Sequence, residues 1–179
     1  MRHHRKKIKE GVYRVVNNEY NILTKEAIEF IKSDCKENTL RRSRINFHQS
    51  DEESVHEMII ALSRDTNIRI HKHIGKSESF KIIEGKLAIV LFFDEDLSKR
   101  EVVILEHNNN PYYRLNSSIF HLVLPLTEVV VMLEVTNGPF DATFTEFVKE
   151  GLAETERGVI EYYRYALCAD NNNERRHRI

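Results

Sequence analysis

A chain of 179 residues is the size of one domain, and its 41% hydrophobic and 31% charged residues exclude wholesale disorder. With 27 basic and 28 acidic residues the net charge is -1, so the chain is no nucleic-acid polycation, and no nucleic-acid partner is expected. Its longest apolar run, Leu87–Phe93, has seven residues against the roughly 20 that a membrane span needs. Cys35 and Cys168 lie far apart without metal-type spacing and read as reduced thiols of a cytoplasmic protein, and no positive-then-apolar leader opens the chain.

Residues 1–22 begin with Arg2, Arg5, Lys6, Lys7 and Lys9 and read as a solvated basic arm with room for one extra strand. From Leu23 to Cys35, apolar residues at 23, 27, 28, 31 and 35 follow a helical period; Thr24 is a good N-cap, and Leu23 and Ile28 stand at the two positions of a hydrophobic staple. From about Arg42 to Val135 the apolar runs Met58–Leu62, Leu87–Phe93, Val102–Leu105, Ile119–Leu124 and Val129–Val135 are rich in Val, Ile and Phe. Turn residues such as Glu84-Gly85, Asn108–Pro111 and Asn137-Gly138-Pro139 separate them, which predicts an all-β sandwich or barrel. Apolar residues at consecutive positions predict strands covered on both faces. Residues 151–179 read as a helix around Ala153–Leu167 followed by a polar tail with Asn171–Asn173, Arg175, Arg176 and Arg178.

Chemistry concentrates in His71-Lys-His73-Ile-Gly-Lys-Ser-Glu78, followed by Gly85. Residues two apart on a strand share a face, so His71 and His73 point the same way, and a turn at Gly75 and Ser77 returns Glu78 beside them on the next strand. Two neutral nitrogens and one carboxylate form a partial shell for a divalent first-row metal. His121, inside the apolar strand Ile119-Phe-His-Leu-Val123, is the best candidate for a further ligand, because a buried imidazole needs a partner. Separately, Arg42, Arg44, Asn46 and His48 alternate along a strand and share one face. That face suits a carboxylate, phosphate or sugar hydroxyl, and pattern alone explains it equally as a charged face in water. His56 and Glu57 precede an apolar run, where one of them could face a cavity or both could serve the strand edge.

The string His71-x-His73-x4-Glu78-x6-Gly85, with His121 downstream, resembles the two metal motifs of the cupins. Arg42-Ser-Arg44-Ile-Asn46-Phe-His48, Leu91-Phe-Phe-Asp94 and Glu134-Val-Thr-Asn-Gly138-Pro139 are similar more specifically to the WbuC-type cupin fold metalloproteins. The chain departs from that pattern at Ile70, where Pro is usual, and at Phe120, where Trp is usual; neither change touches the ligands. The resemblance implies a double-stranded β-helix, or jelly-roll barrel, over residues 23–150, with a leading helix and a C-terminal helix. It implies Fe, Mn, Ni or Zn held by His71, His73, Glu78 and His121, and it turns the reading of Arg42, Arg44, Asn46 and His48 toward substrate binding. It also implies a sugar or sugar nucleotide as small-molecule substrate, in bacterial surface-polysaccharide (O-antigen) biosynthesis, with isomerisation or epimerisation among the reactions. The alternatives are a non-catalytic metal-dependent cupin that binds a sugar or carboxylate, and a metal-free sugar-nucleotide isomerase. Exposed β-edges make a homodimer an expectation.

Overall fold

The computed structural model describes residues 5–16 and 19–176, with side chains in the last helix described to Leu167. Arg2 of the basic arm, Arg178 of the tail and the side chains of Cys168, Asn171–Asn173, Arg175 and Arg176 lie outside the described residues. A seven-stranded sheet takes β1 (Arg5–Lys9), β2 (Val12–Val15), β3 (Arg42–Asn46), β4 (Val55–Ser63), β6 (Glu78–Glu84), β9 (Tyr112–Leu115) and β11 (Val129–Asn137) in the order β1-β2-β3-β4-β11-β6-β9. A five-stranded sheet takes β5 (His71–His73), β7 (Lys86–Phe92), β8 (Arg100–Glu106), β10 (Phe120–Pro125) and β12 (Thr145–Phe147) in the order β12-β5-β10-β7-β8. Helix α1 spans Lys25–Glu37 and α2 spans Ala153–Arg176.

The two sheets face each other in a jelly-roll barrel, and the alternation along each strand decides what lies inside. Met58, Ile60, Phe80, Ile89, Val123 and Met132 belong to the buried cluster between the sheets. Their chain neighbours point outward and are covered too. Ile45, Ile59 and Val131 pack with Ala27, Ile31 and Cys35 of α1, and Val90, Leu122 and Leu124 pack with Val159 and Tyr163 of α2. This second layer is why the strand runs are apolar at successive positions; each fully buried aliphatic side chain contributes about 1.5–3 kcal/mol. Thr24 caps α1, its hydroxyl accepting the Ala27 N–H at 3.3 Å. Gly85, between β6 and β7, has φ +85°, and a Cβ there would lie 2.5 Å from Thr127 Oγ1 and 2.7 Å from the Val129 carbonyl oxygen, so only glycine closes this hairpin.

The basic stretch carries two strands, where one extra strand was expected. Residues 5–15 form a β1–β2 hairpin whose second strand runs parallel to β3. Val12, Tyr13 and Val15 are buried, and the Tyr13 hydroxyl donates to Asp34 Oδ1 on α1 at 2.7 Å. The charged residues of β1 face solvent, so basic composition and strand structure coexist. Helix α2 also continues through Asn171–Asn173 to Arg176, where a polar tail was expected. Among the described residues no helix is long and apolar enough to cross a membrane.

Candidate metal centre

The three-residue strand β5 presents His71 and His73 toward the barrel interior, and its register with β10 sets His121 directly opposite His71. After β5 the chain turns at Gly75, φ +66°, and Asn137 Oδ1 accepts the Ser77 N–H at 2.9 Å, which fixes where β6 begins. Glu78 is the first residue of β6 and is 4% exposed. One ring nitrogen from each of His71, His73 and His121 lies within 4.8 Å of the others. Glu78 joins them, with Oε1 3.0 Å from His121 Nε2 and Oε2 3.6 Å from His73 Nε2.

The opposite ring nitrogens are already engaged. His71 Nδ1–H donates to the Arg69 carbonyl oxygen at 2.8 Å and His121 Nδ1–H to that of Ile119 at 3.0 Å, while His73 Nδ1 meets the Thr145 hydroxyl at 3.1 Å. Each imidazole is thereby held in orientation with Nε2 left for the centre, the usual arrangement of a metal-ligating histidine. Glu78 Oε1 and His121 Nε2 are buried and neither makes an aligned hydrogen bond, to each other or to anything else. Buried polar atoms without partners are costly, and a cation between them satisfies both. The residues present therefore fit a divalent ion.

Electrostatics agree with ligand chemistry. Burial, reinforced by His121, pushes the His71 imidazolium down to about 4, and burial also lowers His73. For Glu78, burial works to raise the carboxyl, but the three imidazoles outweigh it and hold it below the usual range. For His121, burial works to lower the imidazolium and the facing Glu78 carboxylate outweighs that, raising it. Neutral His71 and His73 with an ionised Glu78 suit a metal, and His121 would have to release its proton to bind one.

The cluster opens into a cavity of about 640 Å³ with apolar walls that include Ile60, Leu62, Phe80, Val123 and Met132. A second, more polar lobe of about 280 Å³ adjoins it, and Lys9, Arg44, His73, Glu134, Phe140 and Thr145 line both. Of the predicted substrate residues, Arg44 reaches the junction of the two lobes, Asn46 and His48 line the smaller one, and Arg42 is exposed at the rim of the larger. Arg44 is half-buried, burial lowers its guanidinium, its Nε has no partner, and it pairs with no carboxylate among the described residues. His48 is tied back: its Nδ1–H donates to the Glu57 carbonyl oxygen at 3.2 Å, and its ring stacks on His56 at 4.1 Å. Burial, with His56 adding, pushes its imidazolium down to about 4.

Sequence reasoning missed Glu134. Val130, Met132, Glu134 and Thr136 alternate along β11, and Val130 and Met132 belong to the interior cluster, so Glu134 points into the barrel. In register it faces Met58 on one side and Phe80 on the other. Burial and the Glu78 carboxylate push its carboxyl up to about 7, against the pull of Arg44 and His121. A carboxyl in a row of apolar inward positions is a readable signal once the inward face is known.

Residues 23–105 match the family described as Domain of unknown function (DUF6016). No curated protein matches the chain. CapF in a crystal structure with the inhibitor 3-isopropenyl-tropolone superposes with TM-score 0.53 and 17% identity, over 63% of this chain and 33% of CapF. The capsular polysaccharide assembling protein CapF from Staphylococcus aureus gives TM-score 0.51 and 17% identity, over 60% of this chain and 30% of its own. The chain thus spans about a third of the length of the structures it matches. Oxalate decarboxylase from Bacillus subtilis aligns more distantly, with TM-score 0.44 at 19% identity, over 61% of this chain and 28% of its own. The fold is the cupin jelly roll, carrying a three-histidine cluster with the donor set of a metal site.

Proposed function

We propose that the barrel is a metal-dependent site for a small polar substrate, with His71, His73, Glu78 and His121 as ligands. The observation that carries this reading is the convergence of three imidazoles, oriented by bonds at Nδ1, on the buried Glu78 carboxylate. Three nitrogens and one carboxylate suit Fe, Mn, Ni or Zn. A divalent ion held there supplies Lewis acidity toward a carbonyl or hydroxyl oxygen. Arg44, a half-desolvated cation at the junction of the lobes, binds and orients an oxyanion of the substrate. Asn46 adds a polar contact in the smaller lobe, and the larger lobe offers the substrate an apolar wall.

Glu134 favours an enzyme over a passive binder. Its carboxyl lines both lobes of the cavity, and burial raises it above the ordinary carboxylate range, so it can take a proton from a substrate and return it. Such a transfer is what isomerisation or epimerisation of a sugar requires. The WbuC resemblance implies a surface-polysaccharide setting, and the S. aureus structure is described as a capsular polysaccharide assembling protein; both support a sugar or sugar nucleotide as the substrate. The test is elemental analysis of protein purified without a histidine tag, beside His71→Ala/His73→Ala, followed by NMR of nucleotide-linked hexoses incubated with the metal-loaded protein. About one first-row ion per chain, absent from the double variant, and a changed sugar are expected. Saturable binding without turnover would replace the enzyme by a binding cupin, and no metal uptake would remove the metal from the reading.

A further inference from the structure

We propose that the C-terminal helix holds the first ligand strand in place, and that Glu156 is a positioning residue for His71. This rests on the metal reading of the His/Glu cluster. Strand β5 is short of support: it has three residues, and a single register pair joins it to β10. Its outer partner β12 is equally short, and the approach to it, residues 66–70, belongs to no strand. Three register pairs to β12 and one to β10 are all the sheet gives this strand, and the Arg69–Ile70 peptide that leads into it lies outside them.

Helix α2 supplies what the sheet lacks. Glu156 is 5% exposed; its Oε1 accepts the Ile70 N–H at 2.9 Å, and its Oε2 accepts from Arg69 Nη2 at 3.0 Å. Two turns further on, Arg164 Nη2 donates to the Thr66 carbonyl oxygen at 3.1 Å. Ile70 is fully buried in the cluster that contains Val159 and Tyr163, so packing and hydrogen bonds act on the same segment.

The decisive geometry is a single peptide unit. The N–H of Ile70 and the C=O of Arg69 belong to the same planar group and point in opposite directions. Glu156 holds the N–H side, and His71 Nδ1–H is bonded to the C=O side at 2.8 Å. Fixing one side of the plane fixes the other, and a charged acceptor on the N–H polarises the carbonyl toward the imidazole. Arg69 anchors the same point from β12, its guanidinium lying 4.8 Å from the Phe147 ring, and Phe147 is the register partner of His71. Helix α2 is thus connected to a proposed ligand through one peptide plane.

The experiment is Co²⁺ titration of the full chain, followed by visible absorption, for wild type, Glu156→Ala, Glu156→Gln and Val159→Ala, with thermal unfolding of each metal-free protein. Loss of a group that orients a ligand typically costs 10–100-fold in metal affinity, so E156A should bind Co²⁺ about 10–100-fold more weakly with an altered ligand-field spectrum. E156Q keeps an acceptor for the Ile70 N–H and should stay within about threefold of wild type. V159A, which removes packing from the same helix face, should lower Tm and leave Co²⁺ affinity alone. Should E156A not fold, Glu156→Asp withdraws the acceptor by one methylene and carries the same expectation. Wild-type affinity in E156A, or equal weakening in E156A and V159A, overturns the positioning role while leaving the metal site intact. Absence of Co²⁺ binding by wild type overturns both.

Discussion

His121 Nε2 and Glu78 Oε1 stand 3.0 Å apart on opposite sheets of the barrel, buried and without a hydrogen bond aligned between them. Two such atoms close together in an apolar interior need a positive charge between them. In the metal-free chain the two face each other as an ion pair, which raises the His121 imidazolium and helps to lower the Glu78 carboxyl. The proposed divalent ion would take that place and engage His71 and His73 as well.

The first prediction follows from this pair. His121→Ala removes a ligand from inside the centre, which costs at least as much as losing a group that merely orients one, so metal affinity falls by about tenfold or more. The fold should persist, because the strand remains apolar on either side of the gap. Metal content after dialysis and far-UV circular dichroism check both halves; an unchanged metal content with native dichroism would take His121 out of the site.

Arg44 gives the second. Its guanidinium is half-desolvated with no carboxylate partner among the described residues, an arrangement kept at a cost in stability. Arg44→Met keeps the length and the contact with Met58, whose sulfur lies 3.8 Å from Nη1, and removes the charge. The variant should be more stable by about 1 kcal/mol, retain metal within about twofold, and lose substrate binding. Urea unfolding gives the sign directly: a less stable R44M, still binding metal, would mean that the charge is satisfied within the fold and serves structure.

The part of this arrangement that was legible in sequence is the part whose geometry is local. His71, His73 and Glu78 are brought together by strand alternation and one turn, all within eight residues. His121 stood out because an imidazole inside an apolar strand must find a partner. Glu134 was hidden because Val129–Val135 is apolar at consecutive positions, and only the packing of α1 on Val131 shows which alternate set faces inward. Glu156 was hidden because its partner, the Ile70 N–H, lies 86 residues away and is a backbone group without a side-chain signature. The N-terminal hairpin was legible only as one possible strand, because Val12, Tyr13 and Val15 were outweighed by the lysines before them.

His48 makes the third prediction, one of pH. Its folded imidazolium lies at about 4, against an ordinary 6.5 in the unfolded chain. As pH falls from 6.5 toward 4 the unfolded chain takes up a proton that the folded chain refuses, so stability declines across that window, by up to about 3 kcal/mol at its foot. His48→Asn keeps a donor near Nδ1 for the Glu57 carbonyl and cannot titrate. In metal-free protein, urea unfolding at pH 7.5 and pH 5 should show a smaller acid loss in the variant; equal losses would mean that His48 is protonated in the folded chain.

Glu134 carries the opposite sign, which separates it from His48 in the same experiment. Burial and Glu78 push its carboxyl up to about 7, against an ordinary 4.5. As pH rises from 4.5 to 7 the unfolded chain releases a proton that the folded chain keeps, so stability falls across that window and the full cost is present above it. Glu134→Gln is neutral at every pH and nearly isosteric. At pH 8 the metal-free variant should therefore be more stable than wild type by about 1–3 kcal/mol, and at pH 4.5 or below the two should converge. The same substitution leaves Arg44 and the proposed ligands in place but removes a carboxyl of the cavity wall that can exchange a proton, so any sugar turnover should fall while substrate binding persists. A variant that keeps full turnover would assign the proton transfer to another group, and one no more stable at pH 8 would mean that Glu134 is already ionised and paired with Arg44 at neutrality.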